Sequence, residues 1–195
     1  MPLLLGVLWP LEKINDVLLA IGRALAIAAL AIMVFFILYQ IFMRLFFDAP
    51  NWTEEGARFL MLWMTGLIGP LAYRTGGFVA IDMLERALPH ILATLLSLLL
   101  LICAMAVIWT CAQLGWENVN SFTARGNSAS LRLPLDWFGG ERLKFKNAWA
   151  FASLFVGFAL LVLVNAELIL RQIISLFGGA DQLKPLAEAA PIDGC

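Results

Sequence analysis

Four uncharged runs organise this chain: Ala24–Met43 (20 residues, between Arg23 and Arg44), Phe59–Tyr73 (15, between Arg58 and Arg74), Ala87–Trp116 (30) and Asn147–Ala166 (20). A helix needs about 20 apolar residues to cross ~30 Å of hydrocarbon, so the first, third and fourth runs are predicted to span outright. The second reaches spanning length only if Arg58 or Arg74 snorkels to the interface, or if its helix begins upstream at Trp52. The predicted spans fall at about 20–46, 53–74, 88–115 and 147–170.

The residues between these runs set their limits. Asp48-Ala49-Pro50 ends the first helix, and Asn51 or Thr53 can cap the second. Glu54 and Glu55 then occupy a first turn, where carboxylates suit the positive end of the helix dipole. Glu54 stands four residues before Arg58, on one helical face, and Glu167 stands likewise before Arg171. Gly66, Gly69 and Pro70 favour close approach and a bend, as do the small residues Ser153 and Gly157, and Ala24, Ala28 and Ala31. Gly76-Gly77 breaks the second helix before Phe78–Leu88, a mixed polar and apolar stretch that resembles an interfacial segment.

At the N-terminus, Glu12, Lys13 and Asp16 stand among Ile14, Val17, Leu18 and Ile21 at helical spacing. This predicts an amphipathic helix that lies on the membrane or leads into the first span. Met1–Lys13 has no basic n-region and no small-residue cleavage pattern, so the first span is expected to act as an uncleaved insertion signal. Glu117–Lys146 is rich in Gly, Asn, Ser and Pro and is predicted as loop with at most short structure. After Arg171 the tail turns to Gly178-Gly179 and then to Pro, Ala and acidic residues; 177–195 is predicted disordered, leaving 1–176 as a single domain.

Composition agrees with the pattern. Of 195 residues, 62% are hydrophobic and 14% charged, against about 45–50% and 25% in soluble domains. The apolar excess goes beyond what one soluble core could bury, and lipid is its natural sink. The fold class is therefore an all-α membrane protein of four transmembrane helices, with the N-terminal amphipathic helix and short interfacial segments. A net charge of −1 leaves no footprint for nucleic acid. It also leaves orientation open, because the two sets of loops carry seven and six basic residues. Trp52, Trp116 and Trp149 fall at span ends on one side and form an aromatic belt, with Trp9 marking the other interface.

Chemistry-bearing residues are sparse. The one histidine, His90, cannot supply both axial ligands of a haem or the ligand set of a zinc site, so no cofactor or metal is expected. Cys103 and Cys111 lie eight residues apart, about 12 Å along a helix, too far to bridge within it. No Ser-His-Asp, Cys-His or Gly-rich phosphate pattern occurs, and the chain is not expected to be an enzyme. The middles of the spans lack charge, and a small multidrug exchanger would need a central acid there. The residues alone indicate a helical membrane subunit with a scaffolding or accessory role.

Arg44, Pro50-Asn51-Trp52-Thr53-Glu54-Glu55, Ala57-Arg58, Trp63 and Ala72-Tyr73-Arg74-x-Gly-Gly77-x-x-Ala80-Ile81-Asp82 resemble the small membrane subunit of TRAP transporters, the DctQ/SiaQ family. Phe78 stands where that family often has His. The resemblance implies a tripartite, sodium-coupled importer of an organic acid. Its implied partners are a large membrane subunit, a periplasmic substrate-binding protein and membrane lipids. It also implies a scaffolding role in the bacterial inner membrane, with both termini cytoplasmic. On that footing Arg44, Trp52, Glu54, Glu55, Arg58, Arg74 and Asp82 are candidate contacts between the spans or with the large subunit. Arg125, Arg132, Arg142, Lys144 and Lys146 are candidates for docking the binding protein. The alternative is a standalone four-helix membrane protein, such as a small channel or assembly factor.

Overall fold

A computed structural model describes residues 2–46, 51–76, 90–121, 126–133 and 143–176. Four helices carry the fold: α1 (Pro2–Phe46), α2 (Asn51–Gly76), α3 (His90–Asn120) and α4 (Ala148–Leu176). Two short strands, β1 (Asn127–Leu133) and β2 (Leu143–Lys146), precede α4 and pair antiparallel, with Arg132 opposite Lys144. This strand pair is short structure within the expected loop Glu117–Lys146, and the fold is otherwise all-helical. The interfacial segment expected at Phe78–Leu88 and the tail 177–195 lie outside the described residues.

Three helices, α1, α3 and α4, are long and apolar enough to cross a membrane. The N-terminal segment is continuous with the first span, making α1 a single rod of 45 residues, about 67 Å long at 1.5 Å per residue. The second helix begins upstream of its uncharged run, at Asn51, and continues through Pro70. From Trp52 to Arg74 it covers about 33 Å.

The helices alternate in direction along the chain: α1 packs along α2, α2 along α4, and α4 along α3, with a smaller contact between α1 and α4. Paired residues fix the offsets. Phe36 of α1 meets Trp52 edge-on, with ring centroids 5.6 Å apart. Gly22 abuts Leu67, and Asp16 meets Arg74. The stretch of α1 alongside α2 therefore runs from about Asp16 to Tyr39, and α1 overhangs at both ends.

The interior is polar and small where the outside is large and apolar. On α1 the inward positions are Leu8, Glu12, Asn15, Leu19, Gly22, Ala26, Ala29, Met33, Phe36, Gln40 and Met43, in unbroken alternation of three and four residues. That 3.5-residue period is the seam of left-handed helix packing. Leu25, Ile32, Phe35 and Phe42 point outward and are exposed. Without a hydrophobic drive between helices in lipid, association relies on close packing and hydrogen bonds, so small and polar residues take the seam. Ala24, Ala28 and Ala31, expected as contacts, face outward; the alanines that pack are Ala26 and Ala29. A small apolar cluster of Leu19, Leu101, Val164 and Leu168 joins α1, α3 and α4.

The closest approach is between α2 and α4, as the small residues led one to expect. A Cβ added at Gly66 would lie 2.7 Å from the Ser153 carbonyl oxygen, and one at Gly157 would lie 2.9 Å from the Gly66 carbonyl oxygen. Gly69 has open space around it and takes no part in this crossing. Gly66→Leu should therefore destabilise the purified protein by about 1–3 kcal/mol, whereas Gly69→Ala should stay within about 0.5 kcal/mol of the parent. Unfolding midpoints in detergent check both, and a tolerated Gly66→Leu would contradict the close crossing.

Candidate functional site

The densest polar structure lies where the N-terminal part of α1 meets the C-terminal parts of α2 and α4. Glu167 is fully buried there. Its Oε2 accepts a hydrogen bond from Asn15 Nδ2 at 2.7 Å. Its Oε1 accepts from Arg74 at 2.7 Å and from Arg171 Nε at 3.1 Å. Each guanidinium also holds a second acid: Arg74 donates to Asp16 at 2.5 Å, and Arg171 donates to Glu12 at 2.9 Å. Asn15 donates further to the Leu163 carbonyl. One carboxylate thus ties α1, α2 and α4 together.

A neighbouring chain of bonds reaches α3. Tyr73 donates its hydroxyl proton to Asn165 Oδ1 at 2.9 Å, and Asn165 Nδ2 donates to the Leu101 carbonyl at 3.1 Å. Asn165 is fully buried. Every helix is therefore linked by side-chain hydrogen bonds within a few residues of Glu167. An isolated buried carboxylate would be very costly, and the two guanidiniums together with the Asn15 amide satisfy it.

Of the expected residues, Arg74 is the one that joins this network. Glu54 and Arg58 form the expected i,i+4 ion pair at 2.5 Å, on an exposed surface. Trp52 packs between α1 and α2 against Phe36 and Tyr39. Glu55 has one buried carboxylate oxygen with no hydrogen-bond partner among the described residues. Arg44 is exposed near the end of α1 and makes no ion pair among the described residues. It is therefore not brought together with Glu54, Glu55 and Arg58. Arg132 and Lys144 are cross-strand neighbours on the hairpin, and Lys146 is exposed at its end. Asp82, Arg125 and Arg142 lie outside the described residues.

The tryptophans hold the opposite end. Trp149 lies 6.5 Å from Trp63 and Trp116 lies 5.2 Å from Phe155, ring to ring, and both Trp116 and Trp149 are half-exposed. Trp9 is exposed, with Lys13 Nζ 5.2 Å from the centre of its ring. Along α4, Trp149 and Glu167 are about 27 Å apart, close to the thickness of a hydrocarbon core.

Sequence reasoning missed Glu12, Asn15, Asp16, Tyr73 and Asn165 as partners. The available signal was the α1 seam itself, because Glu12 and Asn15 fall on the same three-and-four alternation as Leu8, Leu19 and Gly22. Among the described residues no group of three His, Cys, Asp or Glu could hold a metal. Two apolar grooves flank α4. One, of about 440 Å³, lies against α2 between Leu62, Gly69, Leu154 and Phe158. The other, of about 810 Å³, lies against α3 between Trp109, Trp116, Phe155 and Leu163.

An apolar exterior, a seam of small and polar residues and a fully paired buried carboxylate define a helical membrane protein whose polar groups hold its helices together. The model of the DctQ component of tripartite ATP-independent periplasmic transporters matches residues 33–175, and the chain belongs to that family. No curated protein matches the chain. The family is one of transporter components, working with a large membrane subunit and a periplasmic binding protein. Arg74, Asn165, Glu167 and Arg171 lie inside the matched segment; Glu12, Asn15 and Asp16 precede it.

If the network holds the helices together, Glu167→Ala strands two guanidiniums and should lower stability by about 3–5 kcal/mol. Arg58→Ala should cost less than about 1 kcal/mol. Denaturant titrations followed by tryptophan fluorescence compare them, and equal losses would refute the assignment.

Proposed function

We propose that this chain is the small membrane subunit of a sodium-coupled TRAP importer of an organic acid, where it serves as a rigid part of the frame beside the large subunit. It crosses the bacterial inner membrane four times, with α2 as the fourth crossing and both termini cytoplasmic. The single observation that carries the reading is Glu167 at the junction of α1, α2 and α4, with all its charge committed to Arg74 and Arg171. A carrier's working carboxylate has to exchange partners during transport; this one is locked in a fixed frame. The 33 Å or so between Trp52 and Arg74 supports a crossing by α2.

An elevator-type carrier slides a transport domain against a stationary frame, and a broad row of helices resists tilting in the bilayer. Substrate choice then rests with the other two components. Deleting this chain from cells that express all three should abolish sodium-dependent uptake of the organic acid captured by the binding protein. The large subunit should also co-purify with the chain. Full uptake without it would overturn the proposal.

The hairpin supports a second part of the reading. Arg132 and Lys144 are register partners on the strand pair that precedes α4, Lys146 ends that pair, and Arg125 and Arg142 belong to the same sequence segment between α3 and α4. This basic patch docks an acidic surface of the binding protein. Reversing Arg132, Lys144 and Lys146 to Glu should weaken binding-protein association in a salt-dependent way, read by surface plasmon resonance on the reconstituted complex. An unchanged affinity at low salt would exclude the patch.

A further inference from the structure

Arg23 is the one charge of α1 between the Asp16 layer and the Trp52 layer. From α1 alone it marks the start of the uncharged run, yet its neighbour Gly22 abuts Leu67, beside the midpoint of α2's uncharged run Phe59–Tyr73. Gly66 in turn touches Ser153 and Gly157, near the middle of α4's run Asn147–Ala166. Arg23 thus lies inside the stretch where α1 packs along α2, about 10 Å along α1 from Asp16 and about 20 Å from the Trp52 layer, a third of the way across.

Its side chain is exposed and makes no ion pair or hydrogen bond among the described residues. Asp16, Ala20, Arg23, Ile27 and Leu30 follow one another on an outward stripe, one residue on from the buried seam, and all are exposed. Helical side chains lean toward the N-terminus, and there the nearest acid on the stripe, Asp16, is already held by Arg74. A charge within a span almost always pairs or faces a polar cavity. Among the described residues nothing supplies a counter-charge to Arg23, and its face is exposed.

We propose that the Asp16–Ala20–Arg23–Ile27 stripe of α1 is the surface on which a helix of the large membrane subunit packs, with a carboxylate of that helix paired to Arg23 within the bilayer. The inference rests on the partner-subunit reading above and adds the face and the chemistry of the contact. Ala20 lets the partner helix approach closely, and Arg23 sets its register. Unpaired before assembly, Arg23 also makes the isolated chain less stable in lipid than the complex, which favours association.

The test uses the full chain co-expressed with its large subunit and purified through a tag on the chain. If the parent chain fails to retain the large subunit, the partner-subunit reading fails and this inference with it. If the parent retains it, Arg23→Leu and Arg23→Glu should reduce the retained large subunit roughly three- to thirtyfold, while Arg23→Lys keeps most of it. Circular dichroism of each variant identifies any that misfolds. A photo-crosslinker at Ala20 or Ile27, which leaves Arg23 in place, should capture the large subunit, whereas one at Val107 of α3 should not. Undiminished retention by Arg23→Leu, or capture from Val107 and not from Ile27, overturns the proposal. So does native mass spectrometry in phosphatidylethanolamine/phosphatidylglycerol nanodiscs if Arg23→Leu releases a bound phospholipid while the large subunit stays.

Discussion

Everything in this molecule depends on how a single carboxylate, Glu167, is neutralised. Taking an ion out of water costs several kcal/mol even after relaxation, and Coulomb attraction offsets this only when the geometry is good and the remaining lone pairs are bonded. Glu167 meets both conditions, with guanidiniums from α2 and from its own helix on one oxygen and an amide from α1 on the other. No subset of these helices can satisfy it. Burial of Glu167 thus makes the correct assembly of α1, α2 and α4 one event, and the Tyr73–Asn165–Leu101 chain extends it to α3.

The same logic explains why the row of helices is built inside out. In lipid, large apolar side chains gain little by turning inward, so Leu25, Phe35 and Leu38 stay outside while Asn15, Gly22 and Ala26 take the seam. Small residues let the backbones approach, and polar ones exclude alternative registers, because a slip of one turn would leave Asn15 and Glu167 apart. The arrangement confers specificity where hydrophobicity cannot. It also leaves wide apolar faces for lipid and for the neighbouring chains of a transporter.

How much of this was legible in the sequence divides along a physical line. Local features were: helix existence, the break at Gly76, and the Glu54–Arg58 and Glu167–Arg171 pairs all follow from spacing within one helix. The Ser153 and Gly157 contact followed from residue size, though its partner Gly66 rather than Gly69 did not. What could not be read was offset between helices. Arg74 with Glu167 and Glu12 with Arg171 are separated by 93 and 159 residues, and hydropathy carries no record of how far one helix slides along another. Periodicity gave the spacing of α1 but not its phase, so Ala24, Ala28 and Ala31 looked as suitable as Ala26 and Ala29. Gly, Asn and Ser in Glu117–Lys146 concealed a short strand pair, because those residue types read as turn and loop.

The crossing of α2 and α4 has a consequence over evolutionary time. What excludes a side chain at Gly66 is the Ser153 carbonyl oxygen, and what excludes one at Gly157 is the backbone of Gly66. A clash with a side chain can be relieved by shrinking that side chain, which lets two positions drift together. A clash with backbone admits no such compensating change. These two glycines should therefore behave as epistatic dead ends, held through divergence even where every side chain around them is replaced.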